Sequence, residues 1–118
     1  MDKIILPEHI VYNDLDGICL INEETGNIFY TNERLDEIFG YNPGELKGMN
    51  KQLAPFPSFS KRMQGNDIAF DIAMHGMWSG EVFYLNKNGD QLRCKTCIYA
   101  FEQPKLGTIW VLIHTDLT

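Results

Sequence analysis

The sequence predicts one α+β domain built around an antiparallel sheet, and three observations support this. The chain has 118 residues, which suits one compact domain. Two short β-rich segments near the start, Ile18–Ile21 and Ile28–Thr31, are joined by a glycine-containing loop typical of a hairpin. Three longer β-rich segments occupy the last third of the chain, and short helical patterns lie between the two groups.

Composition excludes several classes of protein. The chain is 44% hydrophobic and 22% charged, as is usual for a globular domain. Ten basic against 16 acidic residues give a net charge of −6, the wrong sign for binding nucleic acid or anionic lipid. No apolar segment approaches the roughly 20 residues of a membrane span. The acids cluster in the first half, where we expect a solvated face: Asp14, Asp16, Glu23, Glu24, Glu33, Asp36 and Glu37.

The three cysteines predict a reducing compartment. Cys19, Cys94 and Cys97 are an odd number, and a chain of this length needs no disulfide to be stable. We therefore expect a cytoplasmic protein.

Two short helices are predicted after the first hairpin. In the first, Asn32 is the N-cap, one apolar face is formed by Leu35, Ile38 and Phe39, and Gly40 ends the helix. The second spans 42–48, where an Asn-Pro pair precedes a glutamate at the capping-box position and a glycine follows.

A third helix is predicted from Asn66 to about His75, ended by Gly76. It is apolar on both sides, which favours a helix covered on both sides or lying in a groove. One face carries Ile68, Ile72 and His75, and the opposite face carries Phe70, Ala73 and Met74.

Three strands complete the prediction, at 78–85, 92–101 and 108–115. Asn88-Gly89 between the first two is a strong hairpin signal. The last strand is apolar on both faces, as expected at the centre of a sheet. Alternation along the middle strand places Cys94 on the side of Leu92, Thr96 and Ile98, and Cys97 on the other side with Arg93 and Lys95.

Five sequence elements in this order resemble the PAS domain family. They are the hairpin from Asp16 to Asn32, the segment Phe39–Gly48, the Trp78-Ser79-Gly80-Glu81 element, the Lys87–Asp90 turn and the closing Asp116-Leu117-Thr118. The resemblance implies a five-stranded antiparallel sheet, in the order 2-1-5-4-3, with helices on one face. It also implies a PAS domain over 14–118, preceded by an N-terminal cap over 1–13.

The resemblance further implies a sensory or interaction module of a signalling protein such as a histidine kinase or diguanylate cyclase. We expect a change in the cavity between helices and sheet to pass to a downstream output domain, and a homodimer formed through the cap or the sheet face. The expected pocket residues are Cys19, Phe39, Leu53, Phe56, Ile72, Met74, Cys94 and Leu112. The expected relay residues are Trp78, Glu81, Asp116 and Thr118.

The occupant of the cavity stays open at this point. Light-sensing relatives carry a reactive cysteine where this chain has Lys51, which excludes the covalent flavin adduct and leaves non-covalent flavin. His75 is a candidate haem ligand, although a structural histidine is favoured. Cys94 and Cys97 are three apart on a strand and cannot share a metal ion.

Two further alternatives are a ligand-free dimerisation module and a small cavity enzyme. The second would use a buried carboxylate as general base, for which Asp71 is the candidate. No catalytic motif supports it, and we predict that the chain is not an enzyme.

Overall fold

The computed structural model describes residues 6–8, 10, 12–50, 62–63 and 66–117. A five-stranded antiparallel sheet runs through it, in the spatial order β2-β1-β7-β6-β5. The strands are β1 (Gly17–Asn22), β2 (Ile28–Thr31), β3 (Arg62–Met63), β4 (Asn66–Asp67), β5 (Met77–Leu85), β6 (Gln91–Gln103) and β7 (Gly107–Asp116). With the five strands of this sheet numbered alone, the order is 2-1-5-4-3, which confirms the predicted fold.

The first helix, α1 (Glu33–Phe39), has the predicted ends. Asn32 Oδ1 accepts a hydrogen bond from Leu35 N at 2.9 Å, and Gly40 closes the helix in the left-handed region, at φ 77°. The helix packs directly on β1, because a Cβ at Gly17 would lie 3.0 Å from Leu35 Cα. Only glycine allows this close approach.

The helix predicted over 42–48 is wrong. This segment forms turns, although Glu45 Oε1 accepts the expected capping-box bond from Asn42 N, at 3.0 Å. Gly44, in the middle of the segment, lies at φ 79°, and this left-handed residue breaks the run of helical dihedral angles. The capping hydrogen bond is present, but the residues that follow do not continue as a helix.

The start of the third predicted helix is also corrected. Asn66 and Asp67 pair with Met63 and Arg62 in a small antiparallel hairpin, so the helix α2 begins at Ile68 and ends at His75. Asparagine and aspartate are weak helix formers, and here the backbone finds partners in a strand instead.

Only one face of α2 is buried. Ile68 and Ile72 are buried, whereas Met74 is 62% exposed and Phe70 56% exposed. The expectation that Met74 lines the pocket is therefore wrong. At helical spacing Met74 lies across the helix from Ile68 and Ile72, which face the sheet, so it is turned away from the core.

The sheet separates two apolar clusters. The inner cluster lies between the helices and the sheet and comprises Cys19, Ile21, Ile28, Leu35, Ile38, Phe39, Leu46, Ile68, Ile72, Trp78, Val82, Tyr84, Cys94, Ile98, Trp110 and Leu112. The outer cluster lies on the opposite face and comprises Ile10, Ile18, Leu20, Ile109, Val111 and Ile113. Leu6 and Ile10, both before the first strand, pack into the outer cluster. The double-sided apolar character of β7 is thus explained.

Two acids of the expected solvated face are buried. Asp16 is 6% exposed and accepts hydrogen bonds from Thr115 Oγ1, at 2.9 Å, and from Asn13 N, at 3.2 Å. Asp36 is 3% exposed and accepts one from Gly44 N, at 3.0 Å. Charge patterning could not reveal these bonds, because they join residues distant in sequence or depend on a turn. Within the described ranges, no helix is long and apolar enough to cross a membrane.

Candidate functional site: a polar chain beneath the first helix

Three hydrogen-bonding side chains cross the inner face of the sheet on neighbouring strands. Tyr84 on β5 lies 2.8 Å from Thr96 on β6, measured from the phenol oxygen to Oγ1. Thr96 Oγ1 lies 3.2 Å from Nδ1 of His114 on β7, its partner in the strand register. All three are buried, with 2% exposure or less. We refer to Tyr84, Thr96 and His114 as the polar chain.

Phe39 connects the polar chain to α1. Its ring meets the rings of Tyr84 and His114 edge-on, with centroid distances of 5.2 Å and 5.5 Å. The rings of Tyr84 and His114 meet each other in the same way, at 5.2 Å. Edge-to-face contacts of this kind depend on orientation. A movement of α1 would therefore disturb both ends of the polar chain.

The polar chain is uncharged. Burial lowers the pKa of His114 to about 3, so its imidazole is neutral near neutral pH. Burial likewise raises the pKa of Tyr84, and the phenol keeps its proton. The chain therefore consists of neutral hydrogen bonds in a water-poor interior, where each group depends on its neighbour.

Five of the expected pocket residues are buried in the inner cluster: Cys19, Phe39, Ile72, Cys94 and Leu112. Their contact with a ligand stays a prediction. Leu53 and Phe56 lie outside the described residues. Burial raises the pKa of Cys19 far above its ordinary value, with a smaller effect from Asp36, and it raises the pKa of Cys94 to about 11. Both thiols are protonated and packed as small apolar groups.

The C-terminal end of β7 is held from two sides. Leu117 N donates to Arg93 O at 2.9 Å, so pairing with β6 continues past the strand. On the other side Thr115 bonds to Asp16. Asp116 is half-buried opposite Cys94 in the register, and its charge contributes to the raised pKa of that thiol. Thr118 lies outside the described residues.

Trp78 and Glu81 lie on opposite faces of β5. Trp78 is buried in the inner cluster, and a Cβ at Gly80 would come within 2.8 Å of its indole Cζ2. The indole therefore lies over Gly80, which explains why a small residue stands two positions after the tryptophan. Glu81 is exposed on the other face, opposite Lys95 in the register. A relay role for either residue stays a prediction.

The remaining candidates are not brought together. His75 is exposed at the end of α2, a poor position for a haem ligand in an apolar pocket. Cys94 packs in the inner cluster and Cys97 against the outer one, which confirms their opposite faces. Asp71 is half-buried on α2. In the part of the chain that the structure describes, no three His, Cys, Asp or Glu side chains are placed to hold a metal ion.

Sequence reasoning missed His114. The apolar run of the last strand ends at Ile113, so its pattern does not mark the following histidine as a site residue. Strand alternation contained the signal, because His114 follows the inward-facing Trp110 and Leu112 at intervals of two. Its partner Thr96 could not be predicted, because the sequence of either strand alone does not determine the register between β6 and β7.

A comparison with known protein families identifies the family to which this chain belongs. The sequence profile described as "PAS domain" matches residues 15–118. The chain belongs to the PAS domain family. No curated protein matches the chain.

Solved structures show the same PAS fold at low sequence identity. The PAS domain of a protein from Colwellia psychrerythraea has a TM-score of 0.73 and 18% identity, covering 88% of this chain and 87% of that chain. A PAS domain from a two-component sensor histidine kinase has a TM-score of 0.70 and 12% identity, covering 88% and 86%. A fungal LOV domain photoreceptor has a TM-score of 0.67 and 18% identity, covering 91% and 78%.

Proposed function

We propose that this PAS domain is a sensory module of a cytoplasmic signalling protein, and that it passes a change in its interior to an output domain through β7. The observation that carries the proposal is the polar chain with Phe39 above it. Phe39 belongs to α1, which covers the interior, and His114 belongs to β7, the last strand of the sheet in chain order. The similarity to the solved PAS domain of a two-component sensor histidine kinase supports a place for this domain in a signalling protein.

The route needs few steps. A change of packing beneath α1 moves Phe39, which contacts both Tyr84 and His114. His114 lies two residues before Asp116, the last residue of β7. A change in the position of His114 therefore has only two residues to cross before the end of the strand. Interiors are densely packed and respond by switching arrangement rather than by bending gradually. The signal is then a shift in the population of two arrangements of β7.

Thr96→Val tests this route by removing the middle hydroxyl while keeping the shape of the side chain. We expect faster amide hydrogen exchange at Leu117, whose N–H bonds to Arg93 O, because Tyr84 and His114 lose their common partner. The Gly48 amide, which bonds to Ile28 O and lies outside β6 and β7, is the internal reference for a general loss of protection.

Thr108→Val is the matched control, since Thr108 lies at the start of β7, the strand next to that of Thr96, and its hydroxyl bonds only to the exposed Glu102 among the described residues. It should leave exchange at Leu117 unchanged relative to Gly48. Equal acceleration at Leu117 and Gly48 in the Thr96→Val protein would show loss of stability alone and would contradict the route.

A ligand-free interaction module is the second candidate. Its support is the dense contact among Phe39, Tyr84 and His114, which fills the interior beneath α1 with fully buried rings. We propose in either case a homodimer through the N-terminal cap or the outer sheet face, where Leu6 and Ile10 pack on the outer cluster. Native mass spectrometry with an absorption spectrum separates the candidates: added mass or a flavin or haem band favours the sensor, and the bare chain or dimer mass favours the interaction module.

A further inference from the structure

Within the described part of the chain, the buried Asp36 carboxylate has a hydrogen-bond partner for one of its two oxygens. The residue is 3% exposed, and its Oδ2 accepts a hydrogen bond from Gly44 N at 3.0 Å. Oδ1 is also buried and has no hydrogen-bond partner among the residues that the structure describes. A desolvated carboxylate oxygen without a donor is costly, and natural proteins keep few of them.

Among the residues that the structure describes, no ion pair supplies the Asp36 carboxylate with a counter-charge. The two ion pairs found within the described ranges are Arg34–Glu37 and Lys87–Glu45, and neither includes Asp36. Burial raises the pKa of Cys19, a residue of the inner cluster, and the Asp36 charge makes a smaller contribution in the same direction. A thiol is neutral when protonated and negative when deprotonated, so Cys19 supplies no positive charge to Asp36.

We propose that Asp36 anchors an interior binding site for a small organic cation that carries N–H groups, of the amine, amidine or guanidine class. An N–H donor completes the hydrogen bonding of Oδ1, and the positive charge neutralises the buried carboxylate. This inference rests on the proposed sensory function, since it names the chemical class that the interior would detect. Phe39 lies one turn after Asp36 on α1, so an occupant at Asp36 adjoins the residue that contacts the polar chain.

The test is an NMR titration of the folded protein with guanidinium and methylammonium at millimolar concentrations, with tetramethylammonium as the comparison. Tetramethylammonium has the charge and no N–H group. We expect a saturable shift of the Gly44 amide resonance with guanidinium or methylammonium, because that amide bonds to Asp36, and no such shift with tetramethylammonium. Asp36→Asn should weaken binding at least tenfold. Asp71→Asn, which removes a half-buried acid on α2, should leave the affinity unchanged.

Three results would overturn the site. They are no saturable shift with either N–H cation, an equal response to tetramethylammonium, or equal affinity in the Asp36→Asn protein. Should Asp36→Asn fail to fold, the comparison of cations on the unaltered protein still decides. Thr96→Val separates this inference from the proposed function: binding that persists in that variant while Leu117 exchange is unchanged would retain the site and reject the relay.

Discussion

Asn32→Ala should lower the free energy of unfolding by about 2–4 kcal/mol, summing a lost N-cap and two further hydrogen bonds. Asn32 Oδ1 accepts from Leu35 N and from Ile18 N, both at 2.9 Å, and Nδ2 donates to Asp16 O at 2.9 Å. One amide side chain thus joins the start of α1 to the start of β1. Urea unfolding followed by circular dichroism measures the loss.

Asn42→Ala is the matched control for that change. Asn42 is exposed in the turn segment after α1, so removing its side chain should alter stability by roughly 0.5 kcal/mol or less. A loss in the Asn32→Ala protein no greater than that of the control would contradict the role assigned to Asn32.

His114→Phe should remove part of the acid sensitivity of the fold. His114 has a lowered pKa of about 3 in the folded state, against an ordinary value of 6.5. Below pH 6.5 the unfolded chain binds a proton that the folded protein refuses, so folding stability falls as the pH drops toward 3. Between pH 7 and pH 5 this costs about 2 kcal/mol, which the phenylalanine variant would not lose.

Phenylalanine suits this comparison because it keeps an aromatic ring against Phe39 and Tyr84. The measurement is urea unfolding at both pH values, where the carboxylates contribute alike to the two proteins. His75→Phe removes an exposed histidine and should retain the acid-induced loss of the unaltered protein, since His114 is intact. An equal loss in the His114→Phe and unaltered proteins would show that His114 takes up its proton alike in the folded and unfolded states, and would contradict its lowered pKa.

The sequence predicts best those features that depend on neighbours along the chain. Asn32 and Gly40 bound α1 as expected, and alternation along β6 placed Cys94 and Cys97 on opposite faces. The same local logic failed at 42–48, because the capping bond of Glu45 is present while Gly44 takes a left-handed conformation. Capping chemistry shows where a helix can begin, and it does not show that the following residues continue it.

The candidate site depends on contacts between distant residues, and for that reason it was predicted only in part. Phe39 was expected in the interior from its helical spacing, but its ring contacts with Tyr84 and His114 require the positions of three separate elements. The burial of Asp36 follows from the turn at Gly44, not from the charge pattern around it. Met74 shows the converse error, since apolar character alone does not decide which face of a short helix meets the sheet.

A double-mutant cycle between Tyr84→Phe and Thr96→Val tests the central claim most directly. The readout is the chemical shift of the Leu117 amide, which lies beyond the end of β7. If the polar chain carries the change, Tyr84→Phe shifts this resonance in the unaltered background and has little effect once Thr96 is valine. The Thr108→Val background should leave the effect of Tyr84→Phe intact. An equal effect of Tyr84→Phe in the unaltered and Thr96→Val backgrounds would contradict the account.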